Sequence, residues 1–565
     1  MDIEYSLTLF PEPPSCFIQT PEALKNEDIL GLIFQHFDLQ PGSHTVAQTR
    51  KDLLSAAQTC KAFVEPALDS LWRVLPSLLP LLMLLPSAEV NSGHYVSFIS
   101  SYQYSIHSLL ASIFFLITKF VDELPLDDDS NRHQFSGWGR FDVHARRVRT
   151  IYMVPLRIAI SPNIYLRIRA MRDSPLLPGL KNIFIPNNSS IDLSSALFLA
   201  SGSTLNMVEL DGNATADRQF FVPFLSSLYI KSPGLSHLAI RGDVLSGSLE
   251  SISRFTKLQS LVIRLSNPHL HTQLQVLRKL GQLPHLLDLT IDTGTTATSS
   301  RPYTNSTSID NPKFRRLRHL QILGTTASIS CILDELKGLT NLTALKINKI
   351  WDGRTGSSVE SAWNSSFEVI STFSAVEDIE ITLDLNRGQN SHMACSFAPL
   401  FKLENMKSFV TNFDMAPPGF DDNFPLLAHS FPKLKKLVVS RAPSFSGRTL
   451  ACLFYLSLEC PDLREIKIAL SSDISYNLNA IKNLPVYRNH HHPLEKLHID
   501  SNFGQLLQPI QLVRVARFLD HMFPNLSTLE TDNSKTTEAA NWMGIHELRL
   551  ALRDARIDSS PVGGF

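Results

Sequence analysis

The sequence predicts an α/β solenoid, a fold lengthened by stacking one strand-and-helix unit on the next, and three observations carry that expectation. The first is a six-residue phrase, Leu-x-x-Leu-x-Ile with conservative swaps. It reads Leu180 to Ile185, Leu205 to Leu210, Leu235 to Ile240, Leu258 to Ile263, Leu286 to Ile291, Leu317 to Ile322 and Leu342 to Ile347. Looser copies follow at Val376 to Ile381, Met406 to Thr411, Leu434 to Val439, Leu463 to Ile468, Leu494 to Ile499 and Leu526 to Thr531. The second is spacing: successive phrases start between 23 residues (Leu235 to Leu258) and 34 residues (Leu342 to Val376) apart. A period of that length holds one strand and one helix. The third is punctuation. Pro178, Pro233, Pro284, Pro432, Pro461 and Pro524 each stand two residues before a phrase, where proline ends a helix and opens an extended segment.

Between phrases the apolar spacing changes from two to about 3.6 residues, as in Leu274, Leu277, Leu280 and in Val513, Ala516, Phe518, Leu519. The pattern predicts parallel strands on a concave face and helices on a convex back over residues 138–532, with 533–565 as a C-terminal cap or tail. Within each phrase the leucines and isoleucine face inward, so positions three, five and seven face the concave side. His237, Arg241, Arg264, Asp288, Asp292, Lys346, Asp378, Glu380, Glu465, Lys467, Lys496 and His498 occupy those positions. They are the candidate contacts for a protein ligand, and their mixed signs argue against a polyanion.

Bulk properties narrow the partners. In 565 residues, Lys plus Arg (52) nearly equals Asp plus Glu (53), so no overall field draws nucleic acid or an anionic membrane. The cysteines at 16, 60, 331, 395, 452 and 460 form no C-x-x-C pair, which suits a reduced compartment, the cytoplasm or nucleus. The start, Met1-Asp2-Ile3-Glu4, lacks the basic and then apolar order of a secretory signal. From Val90 to Thr118 there is no charged side chain. Asn91, His94, Gln103 and His107 interrupt it, so the continuous apolar run of about 20 residues that spans a membrane is missing. This insert, followed by Asp127-Asp128-Asp129, reads as part of a linker over 76–137, or as translated non-coding sequence.

After a tail at 1–19, residues 20–75 read as three short amphipathic helices. Asn26 or Asp28 caps the first, whose apolar face is Ile29, Ile33 and Phe37 with Leu30 and Phe34 beside it. Thr49 caps the second, with Leu53, Leu54, Ala57, Cys60 and Val64. The third starts near Pro66 and carries Leu68, Leu71, Trp72 and Leu75. A unit of about fifty residues has a small core and tends to need a partner.

The blocks Ile29-Leu30-Gly31-Leu32-Ile33-Phe34-Gln35-His36-Phe37, Leu53-Leu54-x-x-Ala57-x-x-Cys60-Lys61-Ala62-Phe63 and Leu71-Trp72-Arg73 together resemble an F-box. The run Cys60 to Arg73 is similar to the form found in fungal, basidiomycete-like F-box proteins with leucine-rich repeats. Trp138-Gly139-Arg140-Phe141 and Ala145-Arg146-Arg147-Val148-Arg149 resemble the segment that joins box and repeats there. Asn26-Glu27 departs from the Leu-Pro that usually opens the box, and the uncharged insert is foreign to the pattern. The resemblance implies docking on a Skp-type adaptor, and through it a cullin, within an SCF ubiquitin ligase. Leu30, Ile33, Phe34, Leu53, Leu54, Ala57, Cys60, Lys61 and Trp72 would carry that contact, and the repeats would hold an unknown protein substrate. Chemistry would then belong to other subunits, so the chain itself is expected to be no enzyme and to need no cofactor. The alternative is a non-ligase repeat scaffold with a degenerate F-box.

No other constellation competes. His490-His491-His492 reads as a solvated loop rather than a metal site, and Asp127-Asp128-Asp129 lacks the alternation of a calcium loop. G-x-x-x-x-G-K-[ST], H-E-x-x-H and G-x-S-x-G do not occur. Arg146, Arg147 and Arg149, interleaved with Ala145 and Val148, read as a half-buried segment covering the solenoid end with its arginines on the wet side; without aromatic platforms they make a poor nucleic-acid site.

Overall fold

The computed structural model describes residues 26–37, 39, 45–84, 138–154, 165, 168–170, 174–187, 193–200, 205–242, 250–265, 270–294, 314–350, 357–383, 397–412, 420–439, 448–471, 473–482, 484–485, 491–500, 506–531 and 537–559. The uncharged insert at 90–118 and Asp127-Asp128-Asp129 lie outside them. The chain divides into two compact units, Met1–Phe184 with Ser190–Ser203, and Ile185–Ser189 with Thr204–Phe565.

The first unit opens with three helices, α1 (Glu27–Gln35), α2 (Val46–Thr59) and α3 (Lys61–Arg73). Asn26 caps α1, its Oδ1 accepting from the amides of Asp28 (2.9 Å) and Ile29 (3.3 Å), which satisfies two otherwise orphaned donors. Two sequence expectations shift here. Helix α2 begins one turn before Thr49, which is therefore interior and donates its hydroxyl back to the Thr45 carbonyl at 3.0 Å. Helix α3 begins at Lys61 rather than near Pro66, so the proline falls inside it and costs the amide bond that residue would have made. Phe34 fixes the packing of α1, stacking on Phe37 and meeting Phe63 of α3 edge-on at 5.7 Å. Leu30, Leu53, Ala57, Leu68, Leu71 and Trp72 complete a buried core.

A short strand, β1 (Val74–Leu75), follows α3 directly, then α4 (Leu79–Leu82), α5 (Gly139–Ala145), β2 (Thr150–Tyr152), β3 (Asn182–Ile185) and α6 (Leu193–Ala200). Strand β1 pairs parallel with β2, and β2 with β3. Parallel pairing in this unit thus begins at Val74, within the span read as the helical domain. Arg50, buried on α2, donates to the Val74 carbonyl at 3.1 Å, and burial lowers its pKa to about 10.

The segment from Trp138 to Arg149 packs back on α3. Phe141, Ala145 and Val148 are buried, and His144 stacks on Trp72 with ring centroids 4.4 Å apart. Arg147 donates Nη2 to the Glu65 carboxylate at 2.5 Å, Nη1 to Asp69, and Nη1 also to the Glu65 carbonyl. Arg149 donates Nη1 to the Arg146 carbonyl at 2.5 Å. The expectation of arginines on the wet side therefore holds for Arg146 and fails for Arg147, whose side chain is 11% exposed, because carboxylates one helical turn apart on α3 draw it inward. Replacing Arg147 by Ala should destabilise this unit by about 1 kcal/mol, a charge-assisted pair discounted for two largely exposed acids. A thermal melt with unchanged midpoint would count against this role.

The second unit is a parallel ladder of twelve described strands: β4 (Met207–Leu210), β5 (His237–Ile240), β6 (Ser260–Arg264), β7 (Asp288–Asp292), β8 (His319–Gly324), β9 (Ala344–Lys349), β10 (Asp378–Leu383), β11 (Ser408–Thr411), β12 (Lys436–Val439), β13 (Glu465–Ala469), β14 (Lys496–Asp500) and β15 (Thr528–Glu530). Each pairs in register with the next. Every strand starts at position three of its phrase. The connecting helices are α7 (Asn213–Ala216), α8 (Arg218–Lys231), α9 (Leu270–Leu280), α10 (Thr326–Glu335), α11 (Ser357–Ile370), α12 (Phe420–Ser430), α13 (Ala451–Glu459), α14 (Ile474–Lys482), α15 (Pro509–Met522) and α16 (Thr537–Ser559). The shortest repeat, between β5 and β6, has only a 3-10 turn at Glu250–Arg254 among its described residues. This is the single-layer α/β solenoid that the phrase predicts.

The phrase prolines have a more specific task than ending helices. Leu235 donates its amide to the Ser232 carbonyl at 3.1 Å, Leu434 to Phe431 at 3.1 Å, Leu463 to Cys460 at 3.2 Å and Leu526 to Phe523 at 3.2 Å. Each proline is thus the second residue of a four-residue turn, where its fixed φ fits. The first residue of these turns is buried in all four cases. At the C-terminal end α16 closes the core with Trp542, Ile545 and Arg549, all at 1% exposure or less, and Arg549 donates to the Leu526 carbonyl. No described helix is long and apolar enough to cross a membrane.

Candidate functional site

Along most strands of the second unit burial alternates; β5, with Ala239 buried, and β15 depart from it. In β6 and β7 Leu261, Ile263, Leu289 and Ile291 are buried while Ser260, Val262, Arg264, Asp288, Thr290 and Asp292 are partly exposed. A period of two puts the first set on the helix side and the second on an open face. The candidates His237, Arg264, Asp288, Asp292, Lys346, Asp378, Glu380, Glu465, Lys467, Lys496 and His498 all sit at these open-face strand positions, with Arg241 one residue past the end of β5.

Register turns this mixture of signs into neighbours. Asp288 lies directly across from His319 and bonds to its Nδ1. Lys346 lies across from Glu380 at 2.8 Å, and Lys436 across from Glu465 at 2.8 Å. Arg241 reaches Glu209 at 2.5 Å, and longer contacts of 3.7 Å join Arg264 to Asp292 and His498 to Glu530. Such half-exposed cross-strand pairs contribute only about 0.2–1 kcal/mol each. Their larger effect is to leave the face polar and close to neutral. Burial, then the adjacent Glu377, holds the Asp378 carboxyl above its usual range, against the pull of Lys407 and His319.

Sequence reasoning named one member of several pairs and missed the other: Glu209, His319, Lys436 and Glu530. Each occupies position three or five of its phrase, so the rule applied to every copy would have found them. Val410 and Val438, adjacent across β11 and β12, form an apolar spot on the same face and carry no charge to attract notice.

The adaptor candidates divide by burial. Leu30, Phe34, Leu53, Ala57 and Trp72 are at 4% exposure or less, so they hold the helical domain together and are not available to a partner. Leu54 is half-buried, and Cys60, Lys61 and Ile33 are exposed. The structure adds two residues the candidate set omits: Ile29 at 39% and Leu32 at 61% join Ile33 at 48%. Their spacing of three and four places them as one apolar stripe on α1. The sequence reading of Ile29, Ile33 and Phe37 as the inward face is thus reversed: periodicity offers that stripe and Leu30-Phe34 alike, and packing against α3 buries the second.

His492 is not in a solvated loop, as the histidine run suggested. It is 1% exposed, and Pro493 displaces the usual turn proline by one residue. The ring replaces the missing turn: Nδ1 accepts the Leu494 amide at 3.2 Å, and Nε2 donates to the Cys460 carbonyl at 3.2 Å. Burial lowers its pKa to about 4, opposed by the Cys460 bond. Both states are neutral above about pH 6.5, the unfolded value. As pH falls below that, the unfolded chain takes a proton that the folded chain refuses, so stability declines by up to about 1.4 kcal/mol per unit until near pH 4. His492→Gln should flatten the fall in urea midpoint between pH 7 and 5; an equal slope would remove His492 as its source.

No family model matches the chain, and no curated protein matches it. Among solved structures, the chain is similar to the leucine-rich repeat-containing protein LegL7 from Legionella pneumophila, at 12% identity over 66% of this chain and 98% of that one, with a TM-score of 0.29. The solenoid assignment rests on this chain's own strand ladder and repeated phrase.

Proposed function

We propose that this chain is a protein-binding receptor whose helical domain docks on a Skp-type adaptor, and through it a cullin, while the open strand face holds a protein substrate for ubiquitination. The observation that carries the reading is the apolar stripe Ile29, Leu32 and Ile33, left in solvent on α1 while Leu30 and Phe34 of the same helix are buried. A stripe of this kind on a small helical unit is what a partner helix or groove covers. It accompanies the three F-box-like blocks. The open face suits a shaped, polar protein ligand, since its signs are mixed and several of its charges are matched in cross-strand pairs. Catalysis would come from proximity, as holding lysine and thioester together makes their encounter effectively unimolecular. The reading places the protein in the cytoplasm or nucleus, and it needs no cofactor.

The test is affinity purification of the full chain with identification of co-eluting proteins. Co-elution of adaptor and cullin supports the ligase reading. Their absence, with no adaptor binding at micromolar concentration, replaces it by the scaffold reading, in which Asn26-Glu27 marks a box that no longer recruits.

A further inference from the structure

The turns that enter β6, β7, β8 and β9 form one edge of the second unit, distinct from its open face. Backbone bonds lock them in a row. Leu287 donates to the Gln259 carbonyl at 2.8 Å, Arg318 to Leu287 at 2.8 Å and Thr343 to Arg318 at 2.8 Å. Asn341 adds a side-chain bond to the Arg315 carbonyl at 2.7 Å. Lys257, His285, Arg315, Arg316, Arg318 and Lys337 are exposed along this row. Residues 254–259, 281–287, 314–319 and 336–343 contain no Asp or Glu. The turns entering β10, β11, β13 and β14 differ, since they carry Glu377, Glu404, Asp462 and Glu495.

Lys257, Arg315 and Arg318 make no ion pair among the described residues, and Arg316 meets only His285, at 2.9 Å. The nearest acids stand at the margins. Asp288 bonds to His319 and Glu335 pairs with Arg278, and Asp334 lies beside Lys337, which itself favours the C-terminal end of α10. The three arginines of a single turn are not explained by a helix end or by a partner acid. Leu287, half-buried, lies in the row between Gln259 and Arg318.

We propose that this edge docks an acidic, partly apolar stretch of a partner polypeptide. Neighbouring strands lie about 4.8 Å apart, so Lys257 and Arg316 are roughly 10 Å apart along the row, and acids three residues apart in an extended peptide span about the same distance. Leu287 supplies an apolar floor. A nucleic acid fits less well, because no aromatic platform lines the row and the chain's net charge of -1 provides no general attraction. The proposal is independent of the adaptor reading, since it uses neither α1 nor the open face.

The test measures fluorescence anisotropy of the full chain with a labelled peptide bearing glutamate at every third position. A glutamine counterpart and a single-stranded oligothymidine of equal charge serve as comparisons. The glutamate peptide should bind best and weaken as salt rises, as expected for exposed charges. Arg316→Glu with Arg318→Glu should reduce its affinity by at least about tenfold, whereas Lys435→Glu, an exposed lysine of the turn entering β12, should change it less than about twofold. Circular dichroism confirms that both variants remain folded. Equal binding of the glutamate and glutamine peptides, equal losses in the two variants, or tighter binding of oligothymidine would each overturn the proposal.

Discussion

Leu289→Asp unfolds β7 together with the strands and helices beside it. Leu289 is 1% exposed, and its register partners Leu261 of β6 and Leu320 of β8 are equally enclosed. A carboxylate there meets only apolar neighbours, and an unpaired buried charge costs several kcal/mol even after it takes up a proton. In a stacked array each unit is stabilised mainly by the next, so the loss spreads along the chain before it fades. Hydrogen exchange should show lost protection from about β6 to β8 and partial protection further away. Thr290→Asp, one residue along on the open face, serves as the control and should change the melting midpoint little. If the two variants melted alike, the assignment of inner and outer faces would be wrong.

Leu32→Glu with Ile33→Glu should abolish the proposed adaptor binding while leaving the helical domain folded. Both side chains are about half exposed or more, so charging them removes little core packing. Apolar anchors at an interface contribute about 2 kcal/mol or more each when truncated. Two near-additive losses make about 4 kcal/mol, roughly a thousandfold in affinity. Phe34 is unsuitable for this experiment, because at 4% exposure its replacement would loosen the contacts with Phe37 and Phe63. Far-ultraviolet circular dichroism separates the two effects. Unimpaired adaptor binding by the folded double variant would remove the α1 stripe from the proposed interface.

The sequence by itself determined the solenoid. Leu-x-x-Leu-x-Ile sets two inward residues two apart on a strand and a third in the turn before it, and its return every 23 to 34 residues leaves each unit needing a neighbour to bury them. The start of each strand and the composition of the open face follow from that rule. The helical character of the N-terminal domain and the Asn26 cap were equally legible, although the starts of α2 and α3 were not, because neither Thr45 nor Cys60 caps its helix with a side-chain bond and packing sets where each helix begins.

Tertiary structure alone decided which groups meet. Strand register joins Asp288 to His319 and Lys346 to Glu380, residues 31 and 34 positions apart (319 − 288 and 380 − 346), and no local pattern encodes a partner at that distance. It carried Arg147 inward to Glu65 and Asp69, drew His492 into a turn that Pro493 had displaced, and aligned the arginines entering β8 with Lys257. It also separated Leu30 from Leu32 and Phe34 from Ile33, residues alike in sequence but opposite in burial, because a helix buries one stripe and the neighbouring helix α3 fixes which one.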